Sequence, residues 1–536
     1  MRWALTALCA ALALPVLGVL GAWLAIDAAA VAVLRHQFAT VLPGYAGQSL
    51  LLAAGVAVGV IGLGALLAAA VTLFEFPGRR FFEWALLLPL AMPAYVLAYA
   101  WTDALQFSGP VQGGLRAAFG WQGALWPDVR SLWAAVVLFV LCLYPYVYLL
   151  VRAALGERAV RLMEAARLLG APLSRRVLGV ALPMARPAVA AGAALALMET
   201  LSDYGVGAYF GLTTFSTGIY RAWLVMNDRI AAAQLASILL VVVTALLLAE
   251  RAAQKRLRFA PSRVSGHTSE EARPVVLGGG AAVMAVVMCA VPVMLGFVLP
   301  AAWLVYLLAQ EAMSAEFGLP VARFFEWAWA SFRLAGLAAL AATALALALG
   351  FALRRPGAGA LRPMARVLSL GYAVPGAVIA VGILLPVGWL QAQFPQAGVA
   401  ALFTGTLFGL VYAYLSRFSA VAMQSVEAGY ARVPASIDET ARLLGGGSRR
   451  MFFELHLPLL KRSALAAGLL VFVDVMKELP ATLVLRPFGS DTLAVVAYNL
   501  ARDERLAEAA LPSLAIVVVG LIPVVLLSRA MRAPTA

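Results

Sequence analysis

The chain has 536 residues, of which 63% are hydrophobic and 12% charged, with a mean hydropathy of +0.92. Soluble domains run nearer half apolar and a quarter charged, so this composition excludes a soluble globular enzyme. Cys9, Cys142 and Cys289 lie far apart in apolar runs, which excludes a disulfide scaffold, and the net charge of +14 must be located relative to a membrane before it is read as a nucleic-acid signal.

A bilayer core of about 30 Å takes roughly 20 apolar residues per helix. In chain order, twelve such stretches are predicted: 4–26, 49–74, 82–102, 131–151, 188–210, 232–249, 275–308, 332–353, 368–390, 399–416, 464–485 and 511–528. The first follows Arg2 and ends in small residues, like a secretory signal, but its apolar run exceeds the usual signal core, so an uncleaved span is expected. The seventh is too long for one simple span and predicts a kink near Pro292 or Pro300, or an extension beyond the membrane. With the amino terminus inside, 29 of the 40 Lys and Arg residues face the cytoplasm, which predicts an inner-membrane protein with both termini cytoplasmic.

The chain also repeats itself. At an offset of 275, EAARLLGAPLSRRVLGVALP (164–183) aligns with ETARLLGGGSRRMFFELHLP (439–458) at nine of twenty positions, and at an offset of 276 NDRIAAAQLAS (227–237) pairs with RDERLAEAALPS (502–513) around Arg229 and Arg505. This divides the chain into a first half, 1–250, a polar basic linker, 251–274, and a second half, 275–536, each half carrying six spans in the same orientation. Parallel repeats imply a pseudo-two-fold axis along the membrane normal, with a pathway between the halves.

The repeated loops, 157–183 and 432–458, lie between the fourth and fifth spans of each half. From about Glu157 to Leu169 the pattern is helical, with Val160, Met163, Ala166 and Leu169 on one face. Gly170 is placed to end that helix, and Ala171 and Pro172 lead into a second short helix closing before Pro183. Two symmetric copies of a docking element at the membrane face call for a paired cytoplasmic partner.

Each loop resembles the EAA motif of the membrane components of binding-protein-dependent ABC importers: EAA, three residues, Gly, nine residues, an aliphatic, one residue, Leu-Pro. Glu164, Ala165, Ala166, Gly170, Val180, Leu182 and Pro183 fit throughout; Glu439, Ala441, Gly445, Leu455, Leu457 and Pro458 fit, with Thr440 in place of the middle alanine. The resemblance implies an all-α, type I importer permease fold of about twelve transmembrane helices, whose EAA loops are coupling helices seated on two separate ATPase subunits. It also implies a periplasmic substrate-binding protein. No GxxxxGK[ST] phosphate loop occurs in the chain, so ATP and Mg are expected on the ATPase partner, with no cofactor and no catalytic residue in this chain. In this family, nucleotide binding draws the coupling helices together and opens the outward face, and hydrolysis resets it.

Over nearly its whole length the sequence resembles fused ferric iron permeases, notably at 76–99, 202–223, 475–488 and 503–524. Related permeases for thiamine or phosphonate share the architecture. The 275 offset also places Glu199 opposite Asp474 and Asp203 opposite Glu478. Charges inside a membrane are costly and tend to face an aqueous pathway or a partner charge, and ferric ion prefers oxygen ligands, so these four carboxylates are candidate pathway residues. The competing reading is that Lys477 neutralises some and the rest brace the helices.

His36, His267 and His456 are isolated, and no set of ligands for a bound metal is assigned. His456 reads as a loop residue near the ATPase, and Tyr144, Tyr146 and Tyr148 as an interfacial aromatic belt. The rival from another class is a gradient-driven carrier of six plus six spans, which has no reason to keep paired EAA loops.

Overall fold

The structure is a computed structural model that describes residues 2–21, 23, 28–156, 160–258, 275–314, 319–355 and 359–532. The start of the first repeated loop, 157–159, and most of the linker, 259–274, with His267, lie outside the described residues. Helix dominates because, in hydrocarbon, a backbone must satisfy its own N–H and C=O groups. Among the described residues the β structure is a two-residue parallel bridge, Phe74 with Val275 and Glu75 with Val276.

Among the described residues nine helices are long and apolar enough to cross a bilayer, and eleven spans result if each of two bent pairs counts as one. The pair Arg79–Ala91 and Ala94–Phe119 bends by 89°, where Met92 is extended and Pro93 has no N–H to continue the ladder. The pair Val399–Gly405 and Leu407–Tyr430 bends by 74° at Thr406, whose hydroxyl accepts from Phe408 N at 3.1 Å and so caps the second member. The remaining predicted span, the eleventh (464–485), corresponds to Leu457–Met476, a 20-residue helix made less apolar by Lys461, Arg462 and Asp474.

One device corrects one expectation and accounts for the length of a second helix. The short helix after Pro172 does not close before Pro183: Leu173–Ser202 is one continuous element of 30 residues. Similarly, Gly279–Ser314 runs unbroken for 36 residues. Wide π-helical turns occupy Val177–Ala181, Met294–Val298 and Met451–His456. Each contains the residue four before a proline: Gly179 before Pro183, Gly296 before Pro300, Glu454 before Pro458. A proline ring clashes with the carbonyl at that position and leaves it without a donor, and the wider turn makes room without ending the helix.

Two compact units form. One comprises Met1–Val41, Gly218–Leu240 and Leu319–Asn499; the other comprises Leu42–Thr217, Val241–Gly318 and Leu500–Ala536. Each unit thus combines the middle of one sequence half with end helices from the other. In the first unit, Arg2–Gly21 crosses Gly376–Gln393 at close range: a Cβ on Gly18 would stand 2.5 Å from the Gly382 carbonyl oxygen. Small residues let backbones approach in this way where lipid supplies no hydrophobic drive between helices. In the second unit Tyr144 and Tyr148 are fully buried, and Tyr148 donates to the Glu83 carbonyl at 2.9 Å. They are core residues and not an aromatic belt: their four-residue spacing puts both on the inward face of Leu132–Ala154.

Candidate functional site: the paired EAA loops

The two loops fold alike. Their helices are Val160–Leu168 and Ala435–Leu443, and each ends at a glycine in the left-handed region, Gly170 at φ 79° and Gly445 at φ 77°. Ala171 N donates to the Ala166 carbonyl at 2.9 Å and Gly170 N to Arg167 at 2.9 Å. In the second loop Gly446 N donates to Ala441 at 2.8 Å and Gly445 N to Arg442 at 3.0 Å. These are matching helix stops, and they need glycine for its backbone freedom: a Cβ at either position would meet nothing within 4 Å.

The motif side chains are presented alike as well. Glu164 and Ala165 are exposed and Ala166 half-buried; Glu439 and Thr440 are exposed and Ala441 half-buried. Met163 is buried as expected, but Leu169 is not on its face: it lies beyond the last helical turn and is 88% exposed. Leu168, Leu443 and Leu444 are 85%, 88% and 82% exposed. Two adjacent leucines held out at the same place in both loops form a prepared apolar contact, which amphipathic periodicity missed. The available signal was the conserved RLLG string between the repeats, at 167–170 and 442–445.

The four candidate pathway carboxylates divide between the two compact units as they do between the sequence halves. Glu199 and Asp203 belong to one compact unit, Asp474 and Glu478 to the other. Asp203 and Glu478 share a local role: each follows the fifth span of its half and caps the next short helix. Asp203 Oδ1 accepts from Val206 N at 2.8 Å, ahead of Gly205–Tyr209; Glu478 Oε1 accepts from Ala481 N at 2.8 Å, ahead of Pro480–Leu485. Glu478 also accepts from Thr482 N at 3.0 Å and Thr482 Oγ1 at 2.6 Å, and pairs with Arg417 at 3.1 Å. With its side chain 2% exposed, Glu478 is enclosed by its own partners. Asp474 pairs with Lys477 at 3.4 Å. Sequence reading missed Arg417, whose register in the first half holds Cys142.

His456 is not a loop-surface residue. It is 1% exposed, in the π-helical turn ahead of the fifth span, because Phe351 and Tyr430 close around its ring at centroid distances of 5.0 and 5.6 Å. Among the described residues no group of three or more His, Cys, Asp or Glu gathers at metal-binding distance. The arrangement therefore offers two similar loops, each with a glycine stop and an exposed leucine pair, at the ends of apolar helices.

Residues 60–259 match the family described as "Binding-protein-dependent transport system inner membrane component". The Fe(3+)-transport system permease protein FbpB 2 of Haemophilus influenzae is 26% identical over 486 residues, 90% of this chain and 89% of that protein. The molybdenum transport system permease protein ModB of Escherichia coli is 32% identical over 136 residues, 24% of this chain and 55% of ModB. A candidate 2-aminoethylphosphonate transport system permease of Salmonella paratyphi A, PhnU, is 25% identical over 201 residues, 37% of this chain and 70% of PhnU.

Proposed function

We propose that this chain, which belongs to the inner-membrane components of binding-protein-dependent transport systems, is the fused permease of a ferric iron importer. Its two EAA loops are the coupling helices, each seated on one of two ATPase subunits that hold ATP and Mg, while a periplasmic binding protein delivers the substrate. The observation that carries the reading is the duplicated loop, with the same left-handed glycine stop and the same pair of outward leucines in both copies. An isolated interfacial helix would turn such leucines toward the bilayer and would need no second copy. The loops face the cytoplasm, as the distribution of basic residues favours.

Iron is favoured over the oxyanions and phosphonates of the shorter matches because the iron permease resemblance runs almost end to end. Glu199 and Asp203, with Asp474 and Glu478, contribute carboxylates near the ends of the fifth spans, a donor type suited to a hard cation in transit. Glu478 acts there chiefly by fixing the turn that follows the span.

The test is reconstitution of the chain with its ATPase and binding protein in proteoliposomes. Radioactive ferric iron should accumulate only with ATP and loaded binding protein. Accumulation of molybdate or a phosphonate in place of iron would overturn the substrate; uptake without any ATPase would overturn the transporter class.

A further inference from the structure

The two coupling loops are alike on their outer surface and different beneath it. In the second half, Arg354, the last residue of Val321–Arg354, points its guanidinium at the coupling helix. Nε donates to Asp438 Oδ2 at 2.6 Å, Nη2 to the Val433 and Pro434 carbonyls at 2.8 Å each, and Nη1 to the Tyr430 carbonyl at 3.3 Å. Asp438 sits in the first turn of Ala435–Leu443, and its other oxygen lies 3.0 Å from His456 Nε2, just ahead of the fifth span. The side chains of Arg354, Asp438 and His456 are 18%, 8% and 1% exposed. One buried polar node therefore joins the end of a membrane helix, the end of Leu407–Tyr430, the coupling helix and the start of the fifth span.

The first half has no such node among the described residues. At the 275 offset, Asp438 is matched by Met163 and His456 by Ala181, both buried. Arg354 is matched by Arg79, which pairs with Glu75 at 2.5 Å and Glu83 at 3.5 Å and donates to the Val71 carbonyl, while the counterparts of Val433 and Pro434 lie outside the described residues. Apolar packing is non-directional and tolerates sliding, whereas a largely buried charge held by four hydrogen bonds loses heavily when any one moves.

We propose that Arg354, Asp438 and His456 are positioning residues that latch the second coupling helix rigidly to the membrane helices, so that ATPase motion is transmitted unequally, stiffly through the second loop and compliantly through the first. This rests on the coupling role assigned above.

The experiment uses the complete reconstituted importer and measures ATP hydrolysed per iron imported. The triple variant Arg354→Met, Asp438→Met, His456→Ala gives the node an apolar character; replacing every member of a buried ion cluster with packed apolar groups is often neutral for stability, whereas removing one member is not. The triple variant should retain ATPase binding and its unfolding midpoint yet spend at least threefold more ATP per iron. Arg354→Lys keeps the charge but loses the planar fork, and should give a smaller rise in the same ratio. Met163→Leu in the first loop should leave the ratio within a factor of 1.5 (roughly 0.2 kcal/mol, since 1.4 kcal/mol is tenfold). A ratio unchanged in both the triple and the Arg354→Lys proteins, with assembly intact, overturns the latch. Failure of the unaltered chain to bind the ATPase would instead overturn the coupling role itself.

Discussion

Removing the exposed leucine pair of one coupling loop should separate folding from docking. Leu443 and Leu444 are 88% and 82% exposed, so Leu443→Ala with Leu444→Ala removes almost no contact within the chain, and its stability should stay within about 0.5 kcal/mol of the parent. Docking on the ATPase, as proposed, should bury both side chains. A leucine taken from exposure to full burial contributes about 1.5–3 kcal/mol, so the pair accounts for roughly 3–6 kcal/mol of docking. At 1.4 kcal/mol per tenfold, the affinity for the ATPase should fall by about 10²–10⁴. Thermal unfolding of the purified permease in detergent checks the first half of the expectation, and equilibrium binding of labelled ATPase to permease in nanodiscs checks the second. Leu168→Ala with Leu169→Ala should behave alike, since those leucines are 85% and 88% exposed. Binding within threefold of the parent in both double variants would refute the docking assignment; a large fall in unfolding temperature would refute the claim that these leucines are unused by the fold.

Gly170→Ala and Gly445→Ala should each cost about 1–2 kcal/mol through the left-handed backbone alone, because there is open space for the methyl group; faster hydrogen exchange confined to the loop checks this. Glu478→Gln leaves Arg417 buried without its counter-charge and should destabilise the chain by roughly 3–5 kcal/mol, whereas Asp474→Asn, at a partly exposed pair, should cost about 1 kcal/mol or less; denaturation midpoints of the two variants distinguish these outcomes. Burial holds the His456 imidazole below its ordinary pKa, against the pull of Asp438 and with the help of Arg354. The unfolded chain then takes up the proton first, so stability in this region is fully present above about pH 6.5 and declines as the pH falls below it. Exchange protection over 435–456 should drop between pH 7.5 and 5.5, after correction for intrinsic rates, and the drop should vanish in His456→Gln.

The loops were legible in the sequence because they are short, local and duplicated. Gly170 and Gly445 were identified as helix stops from their position after a periodic run, and both adopt the backbone that requires glycine. What periodicity misjudged was Leu169: a 3.6-residue pattern assumes that the helix continues, and here it stops one residue earlier. Arg354 reaches Asp438, which also faces His456, and Arg417 reaches Glu478, in each case only through tertiary packing, which no local pattern encodes. The spans were legible as apolar stretches, but the bends at Pro93 and Thr406 were not, because composition is unchanged across such a break. The wide turns ahead of Pro183, Pro300 and Pro458 explain why prolines that normally end helices do not end these.

The interchange of end helices between the two units bears on how the protein is made. Met1–Val41 belongs with Gly218–Leu240 and with residues that begin at Leu319, about 278 positions later in synthesis. At roughly 5–20 residues per second, the first helix waits about 15–55 s before the last of these segments starts to leave the ribosome. Until then it is without the close partner that it will meet at Gly18 and Gly382. Carrying both halves on one polypeptide keeps the waiting helix and its late partner at a fixed one-to-one ratio and in the same patch of membrane, which two separately translated subunits would have to achieve by diffusion.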